Sequence, residues 1–217
     1  MIAASARAGL RLWIPEDVRG HCCATIWHSK GYQKGNATMA NRVAESLWRW
    51  SDGGRLPIVC DASSCSFGLI SQIVDHLTAE NRKYHSQLTI LDSIAWAHDR
   101  LLPRLEIPRK VGSAVLHPSC STNHLKLASK LQRVAAAMAQ EVVTPPSFGC
   151  CGFAGDRGFL HTELTLSATE EEAKEACART FDAYLGSNRT CEIGLNLATG
   201  QDYVSFVYLL EELTRPM

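Results

Sequence analysis

The arrangement of the cysteines constrains this chain more than any other feature of its sequence. A doublet, Cys22-Cys23, is followed 42 positions after its second member by Cys65, and a second doublet, Cys150-Cys151, is followed after 40 positions by Cys191. The flanks also agree: Cys65-Ser66-Phe67-Gly68-Leu69 lines up with Cys191-Glu192-Ile193-Gly194-Leu195. Self-similarity at near-constant spacing is the mark of a repeated supersecondary unit. A chain of this kind is expected to fold as two similar halves, residues 1–107 and 108–217. The second half opens with a strand candidate leading to Cys120, whereas the first opens directly with a helix. The first half therefore reads as N-terminally truncated, as though Met1 fell inside an older, longer chain.

The cysteines are not a disulfide scaffold. There are nine in 217 residues, an odd number at low density, and a chain this long buries a core without covalent staples. The opening segment is interrupted by Arg7 and Arg11 and does not read as a signal peptide, and no run of 18 apolar residues is present. A cytoplasmic chain, or one peripheral at the inner face of the cell membrane, is the expectation, with grouped thiols serving metal or redox chemistry. Lys plus Arg and Asp plus Glu both number 22, which gives no electrostatic case for nucleic acid.

Apolar spacing and punctuation predict an α/β fold. Helices are predicted over 2–13, 37–50, 68–80, 94–105, 125–140, 170–185 and 203–213, with short strands over 56–60, 88–91, 112–117 and 141–144. Met39, Val43, Leu47 and Trp50 share one helical face, and Leu125, Leu127, Leu131, Val134 and Met138 form a core stripe. Residues 18–30, 62–65, 118–120, 147–159 and 187–194 read as loops, and these hold the cysteines. Strands alternating with helices argue for parallel sheets with flanking helices. In such sheets ligands sit beyond the carboxyl ends of the strands, so the cysteine loops are expected to gather between the two units.

Thiolate sulfur is a soft ligand for iron–sulfur clusters, zinc or copper(I). Cys120, Cys150, Cys151 and Cys191 arrive from separate loops, as a four-iron cluster requires. Adjacent thiols suit one large cluster, while a tetrahedral zinc more often takes pairs two to four residues apart. Gly149, Gly152, Gly155 and Gly158 surround the second doublet and permit close backbone approach. No Gly-Lys-Ser/Thr follows and no GxGxxG follows a strand, so neither a P-loop nor a dinucleotide-binding turn is present.

The stretch Cys150-Cys151-Gly152-Phe153-Ala154-Gly155-Asp156-Arg157-Gly158-Phe159 resembles the CCG motif of the cysteine-rich domain found in heterodisulfide reductase and in the iron–sulfur subunit of glycolate oxidase. His117-Pro118-Ser119-Cys120-Ser121, Thr190-Cys191-Glu192-Ile193-Gly194, Trp13-Ile14-Pro15-Glu16-Asp17, Ser29-Lys30-Gly31-Tyr32 and Asp61-Ala62-Ser63-Ser64-Cys65 resemble most the C-terminal part of FAD-linked D-lactate dehydrogenases. That resemblance implies an iron–sulfur electron-transfer module. It would pass electrons from flavin towards a quinone or cytochrome, with FAD and the hydride chemistry on a missing segment or a partner subunit. It implies a 4Fe-4S site on Cys120, Cys150, Cys151 and Cys191 and a metal site on Cys22, Cys23 and Cys65 with its upstream partner absent. The sequence departs from the family where the first motif reads Cys22-Cys23-Ala24 and where Gly194 replaces a further cysteine of some relatives. A catalytic subunit like that of heterodisulfide reductase, and a truncated structural or zinc-binding remnant, are the alternatives.

Of the remaining residues, Cys60 reads as a core thiol aligned with Gly186, and Cys177 as a packing residue in a helix. His21 and His117, beside the cysteine loops, read as ligands, donors to sulfur, or locally hydrogen-bonded groups. Asp156 and Arg157 suit a surface ion pair or loop hydrogen bonds, with a docking role as the alternative. The run Glu170-Glu171-Glu172 suits a helix N-terminus and is assigned no function.

Overall fold

The structure, a computed structural model, describes residues 1–216. It divides into two compact units: a smaller one, Trp13–Asp92, and a larger one that joins Met1–Leu12 to the chain from Ser93 onward.

Helix α1 (Ile2–Arg7) belongs to the larger unit. It ends well before the predicted Trp13, because Gly9 turns the chain at φ +72°. The helix is held from the other end of the sequence. Arg7 donates to the Glu211 carboxylate at 3.1 Å and to its carbonyl at 2.6 Å, and the Trp96 indole donates to Ser5 Oγ at 2.9 Å.

The smaller unit contains α2 (Thr25–Ser29), α3 (Gln33–Trp50), β1 (Ile58–Cys60), α4 (Ser63–Phe67), α5 (Ala79–His85) and β2 (Ile90–Asp92). Strands β1 and β2 run parallel, with Ile58 opposite Ile90 and Cys60 opposite Asp92. The predicted face of α3 is real: Ala40, Val43, Ala44 and Leu47 bury against Leu69, Ile73 and Leu77, with Met39 and Trp50 at the margin. The predicted helix over 68–80 is instead a π turn (Gly68–Gln72), a 3-10 turn (Val74–His76) and α5, which Thr78 caps by accepting from the Asn81 N–H.

The larger unit continues with α6 (Ser93–Trp96), β3 (Val111–Leu116), α7 (Cys120–His124), α8 (Ala128–Met138), β4 (Ala139–Val143), α9 (Thr162–Ala176), β5 (Ala183–Gly186), α10 (Arg189–Thr199), β6 (Tyr203–Ser205) and α11 (Phe206–Leu213). Its sheet is wholly parallel, in the order β4-β3-β5-β6. The chain leaves β3 for β4 on one side and returns for β5 on the other, so the strand order reverses between β3 and β5. Loops leaving the carboxyl ends of strands at such a reversal diverge and leave room for a ligand.

The predicted α/β class, with parallel sheets and flanking helices, is what the structure shows. Further assignments are corrected; the predicted helix over 203–213, for one, is β6 (Tyr203–Ser205) followed by α11 (Phe206–Leu213). The predicted helix over 170–185 is α9 followed by β5: Tyr184 and Leu185 are buried in a strand between β3 and β6. A short apolar run cannot be told from a helix segment by periodicity, and here the neighbouring strands decide. The predicted loop around Cys191 is the first turn of α10, and Cys120 and Cys65 likewise sit on helices. Among the described residues no helix is long and apolar enough to cross a membrane.

Candidate metal centre

In the larger unit the four predicted thiols leave three parallel strands at their carboxyl ends. Cys120 opens α7 after β3, Cys150-Cys151 lie in the loop after β4, and Cys191 is in the first turn of α10 after β5. A hydroxyl chain fixes two of these loops to each other. Ser119 Oγ caps α7 by accepting from the Thr122 N–H at 3.2 Å, and Thr122 Oγ1 lies 3.1 Å from Ser187 Oγ. Phe153 is buried beside Cys151 and Cys191, with Phe159 meeting its ring edge-on at 4.8 Å.

The sulfurs of Cys151 and Cys191 are 3.0 Å apart, well beyond the ~2.05 Å of a disulfide. All nine thiols are free. Cys120 and Cys150 form the other hydrogen-bonded pair. Within each pair one sulfur is pushed towards the thiolate. The hydrogen bond from Cys120, helped by the Gly152 N–H and the field of His117, holds Cys150 down at about 5. The bond from Cys191, the Phe153 N–H and His117 lower Cys151. Cys120 and Cys191 are raised, first by those same bonds and then by burial. Asn188 Nδ2 donates to Cys191 Sγ at 3.3 Å. Cys150 is exposed, Cys120 half-buried, and Cys151 and Cys191 buried.

His117 is fully buried, as is Glu172, whose Oε1 lies 2.7 Å from His117 Nδ1. The other ring nitrogen, Nε2, is buried without a hydrogen-bond partner. A histidine braced by a carboxylate on one nitrogen and open on the other is a recurrent companion of metal sites. Leaving such an atom unpaired costs about 1–3 kcal/mol.

The smaller unit brings together Cys22, Cys23 and Cys65, and Cys60 joins them. Cys23 bonds to both Cys22 and Cys65, and Cys65 in turn bonds to Cys60. Bonds from Cys22, Cys65 and Thr25 hold the Cys23 thiol at about 2, and the Cys65 bond lowers Cys60. Cys65 and Cys22 are raised by the same contacts, Cys65 first by Cys23 and Cys22 also by Cys23. Cys60 packs against the apolar core of the smaller unit, as its position at the end of an apolar strand predicts, and its thiol also meets Cys65. His21 is locally bonded, its Nε2 lying 2.8 Å from Ser46 Oγ and its ring edge-on to Trp50. Cys177 ends α9, exposed, with its Sγ 3.6 Å from the Thr199 carbonyl.

Sequence reasoning missed Glu172. The acidic run is not at a helix N-terminus but inside α9, where Glu170 and Glu171 face solvent and pair with Lys174. Glu172 turns inward with Thr165, Thr169, Ala173 and Ala176. The signal was the three- and four-residue spacing from Thr165 and Thr169, which places Glu172 on the buried stripe.

Among the described residues, no group of three or more His, Cys, Asp or Glu side chains is placed to hold a single metal ion. The donor set instead fits a polynuclear iron–sulfur cluster: soft sulfur donors, two of them pushed towards thiolate, and a buried unpaired imidazole nitrogen within electrostatic reach. The model of the cysteine-rich CCG domain matches residues 114–196, a span that contains all four of these thiols and both His117 and Glu172. A search of curated proteins finds no match to the chain.

Proposed function

We propose that the larger unit holds an iron–sulfur cluster on Cys120, Cys150, Cys151 and Cys191 and relays electrons for a flavin-dependent 2-hydroxy-acid dehydrogenase, with D-lactate the leading substrate. FAD would sit on a partner domain or subunit, and a quinone or cytochrome would receive the electrons, with the chain cytoplasmic or peripheral at the inner membrane face. Residues 1–107 and 108–217 are read as two copies of one ancestral unit. The observation that carries the proposal is the meeting of Cys151 with Cys191 and of Cys120 with Cys150, thiols distant in sequence, in loops and helix starts after the strands of a parallel sheet, within the residues that the CCG model matches.

When bound, a cluster of this kind supplies one-electron storage at a potential set by its surroundings. The chain's own groups set those surroundings. The Gly152 and Phe153 N–H groups and the Asn188 amide donate to thiolate sulfur, which favours the more reduced, more negative state. Phe153 and the half-buried Ile193 keep water from Cys151 and Cys191. The exposed Cys150 is the side from which electrons would enter or leave.

The test is anaerobic purification of the full chain with iron, acid-labile sulfide and electron paramagnetic resonance measurements. Iron with sulfide is expected, and Cys151→Ser should remove the larger unit's share while Cys177→Ser leaves it intact. Zinc in place of iron, or full iron loading in Cys151→Ser, would overturn the reading.

A further inference from the structure

We propose that His117 and Glu172 form a buried proton-accepting pair for the sulfur site of the larger unit, His117 Nε2 taking one proton when the site takes one electron. That role rests on the one-electron relay proposed above and adds a proton to it.

The fold seats the pair close behind the cysteine doublet. β3 ends at Leu116, and His117 follows with its backbone N–H bonded to the Leu185 carbonyl of β5 at 2.9 Å. Three residues later Cys120 opens α7. The His117 side chain is fully buried, and its Nδ1 lies 2.7 Å from Glu172 Oε1 on α9. The same helix packs on the doublet loop: a Cβ on Gly152 would lie 3.0 Å from Ala168 Cβ. Glu172 comes one turn after Ala168, about 6 Å along the helix axis. The field of His117 reaches both Cys150 and Cys151.

The free ring nitrogen gives the pair its chemistry. A carboxylate accepts the Nδ1–H of a neutral imidazole, which leaves a lone pair on Nε2. Nε2 is buried without a hydrogen-bond partner, so it is the atom able to accept a proton. Glu172, on the other side of the ring, balances the imidazolium that results. An electron added to a buried site leaves a negative charge where uncompensated charge is costly. A proton on Nε2 offsets that charge. The coupling is reciprocal: the electron raises the affinity for the proton, and the proton raises the affinity for the electron. The partner's flavin gives one electron, solvent gives one proton, and one N–H bond forms at Nε2. Reoxidation breaks that bond and returns the proton to solvent.

The other charged and titratable groups on the surrounding elements are occupied. Cys150 and Cys151 of the doublet loop, Cys120 of α7 and Cys191 of α10 are the thiols of the proposed site. Tyr203 of β6 keeps its hydroxyl proton, through burial first and then the field of Glu172. On α10 the buried Glu192 lies 3.4 Å from the exposed Arg189 guanidinium. Glu141 of β4 pairs with Arg179, and Lys130 of α8 with Asp99. On α9, Glu170 and Glu171 face solvent with Lys174, and Glu172 is the member of that run that reaches the ring.

The experiment is a potentiometric titration of the anaerobically loaded full chain at a series of pH values. It is followed by electron paramagnetic resonance on the signal that Cys151→Ser abolishes. The midpoint potential should fall as pH rises across the range in which histidines exchange protons, about pH 5–8. Its steepest slope should approach about 59 mV per pH unit, a tenfold change in proton concentration converted for one proton per electron. His117→Gln should flatten the profile. Glu172→Gln keeps a partner for Nδ1 but removes the balancing charge, so the sloping region should move to lower pH. Glu170→Gln, on the solvent side of the same helix, should leave the profile unchanged. If His117→Gln fails to fold, the shift in Glu172→Gln decides. A wild-type potential independent of pH, a slope retained in His117→Gln, or a Glu172→Gln profile equal to wild type overturns the proposal, while the loaded cluster leaves the electron relay standing. A chain that binds no iron overturns both.

Discussion

Gly152 carries two separable burdens, and replacing it measures how firmly the second cysteine doublet is seated. Its φ is +68°, a backbone region that costs a residue with a Cβ about 1–2 kcal/mol. A Cβ there would also lie 2.9 Å from the Leu164 carbonyl oxygen and 3.0 Å from Ala168 Cβ, both on α9. Neither is the free end of a flexible side chain, so loop or helix must shift, at about 1–3 kcal/mol. Gly200 isolates the first burden, since its φ is +69° and a Cβ there meets nothing within 4 Å. Gly152→Ala is therefore expected to destabilise the larger unit by about 1–3 kcal/mol more than Gly200→Ala. Because the larger and smaller units need not unfold together, the assay is urea titration of the reduced, metal-free chain read by hydrogen exchange in α9 and α10 peptides. The Gly152 N–H also donates to Cys150, so iron loading should fall in Gly152→Ala and not in Gly200→Ala. Equal stability losses in the two variants would refute the close approach of this loop to α9.

Other perturbations probe neighbouring groups. Glu172→Leu should destabilise the larger unit by about 1–3 kcal/mol, because it strands the buried His117 Nδ1, and Glu172→Gln should recover much of that loss; urea unfolding with both variants checks it. Glu211 is held down at about 2, by Arg215 first and then Arg7. A depressed carboxyl contributes stability that is present above its ordinary value of 4.5 and is lost as pH falls through about 2. The docking of α1 should therefore be unchanged from pH 7 to 5 and weaken only below, seen as faster amide exchange at Ala8 and Leu10. Cys150, exposed and held at about 5, should react with iodoacetamide in the metal-free chain at a rate nearly flat from pH 6.5 to 8. A rate climbing tenfold per pH unit there would contradict a preformed thiolate.

Much of the site was legible because its chemistry is written in residue types and spacing. The doublet-and-single pattern named six thiols and the loop after a predicted strand added Cys120; Cys120, Cys150, Cys151 and Cys191 lie in one unit and Cys22, Cys23 and Cys65 in the other. Helical stripes were equally readable: Leu131, Val134 and Met138 are fully buried as their spacing requires, with Leu125 and Leu127 half-buried at the helix entrance. Glu172 was hidden because its two acidic neighbours carry the appearance of a solvated face, and only the start of α9 at Thr162 fixes which of the three turns inward. β5 was hidden because a four-residue strand has no period of its own; its neighbours supply its hydrogen bonds.

The sequence by itself determined that there are two thiol sets, that they lie in similarly patterned α/β stretches, and which residues punctuate them, since these follow from local composition and spacing. Tertiary structure decided the strand order, and with it which loops diverge at the reversal between β3 and β5. It also decided that Cys60 meets Cys65 and that His117 meets Glu172, 55 positions away. Those contacts depend on how parallel strands and helices pack in three dimensions, which residue spacing along the chain does not encode.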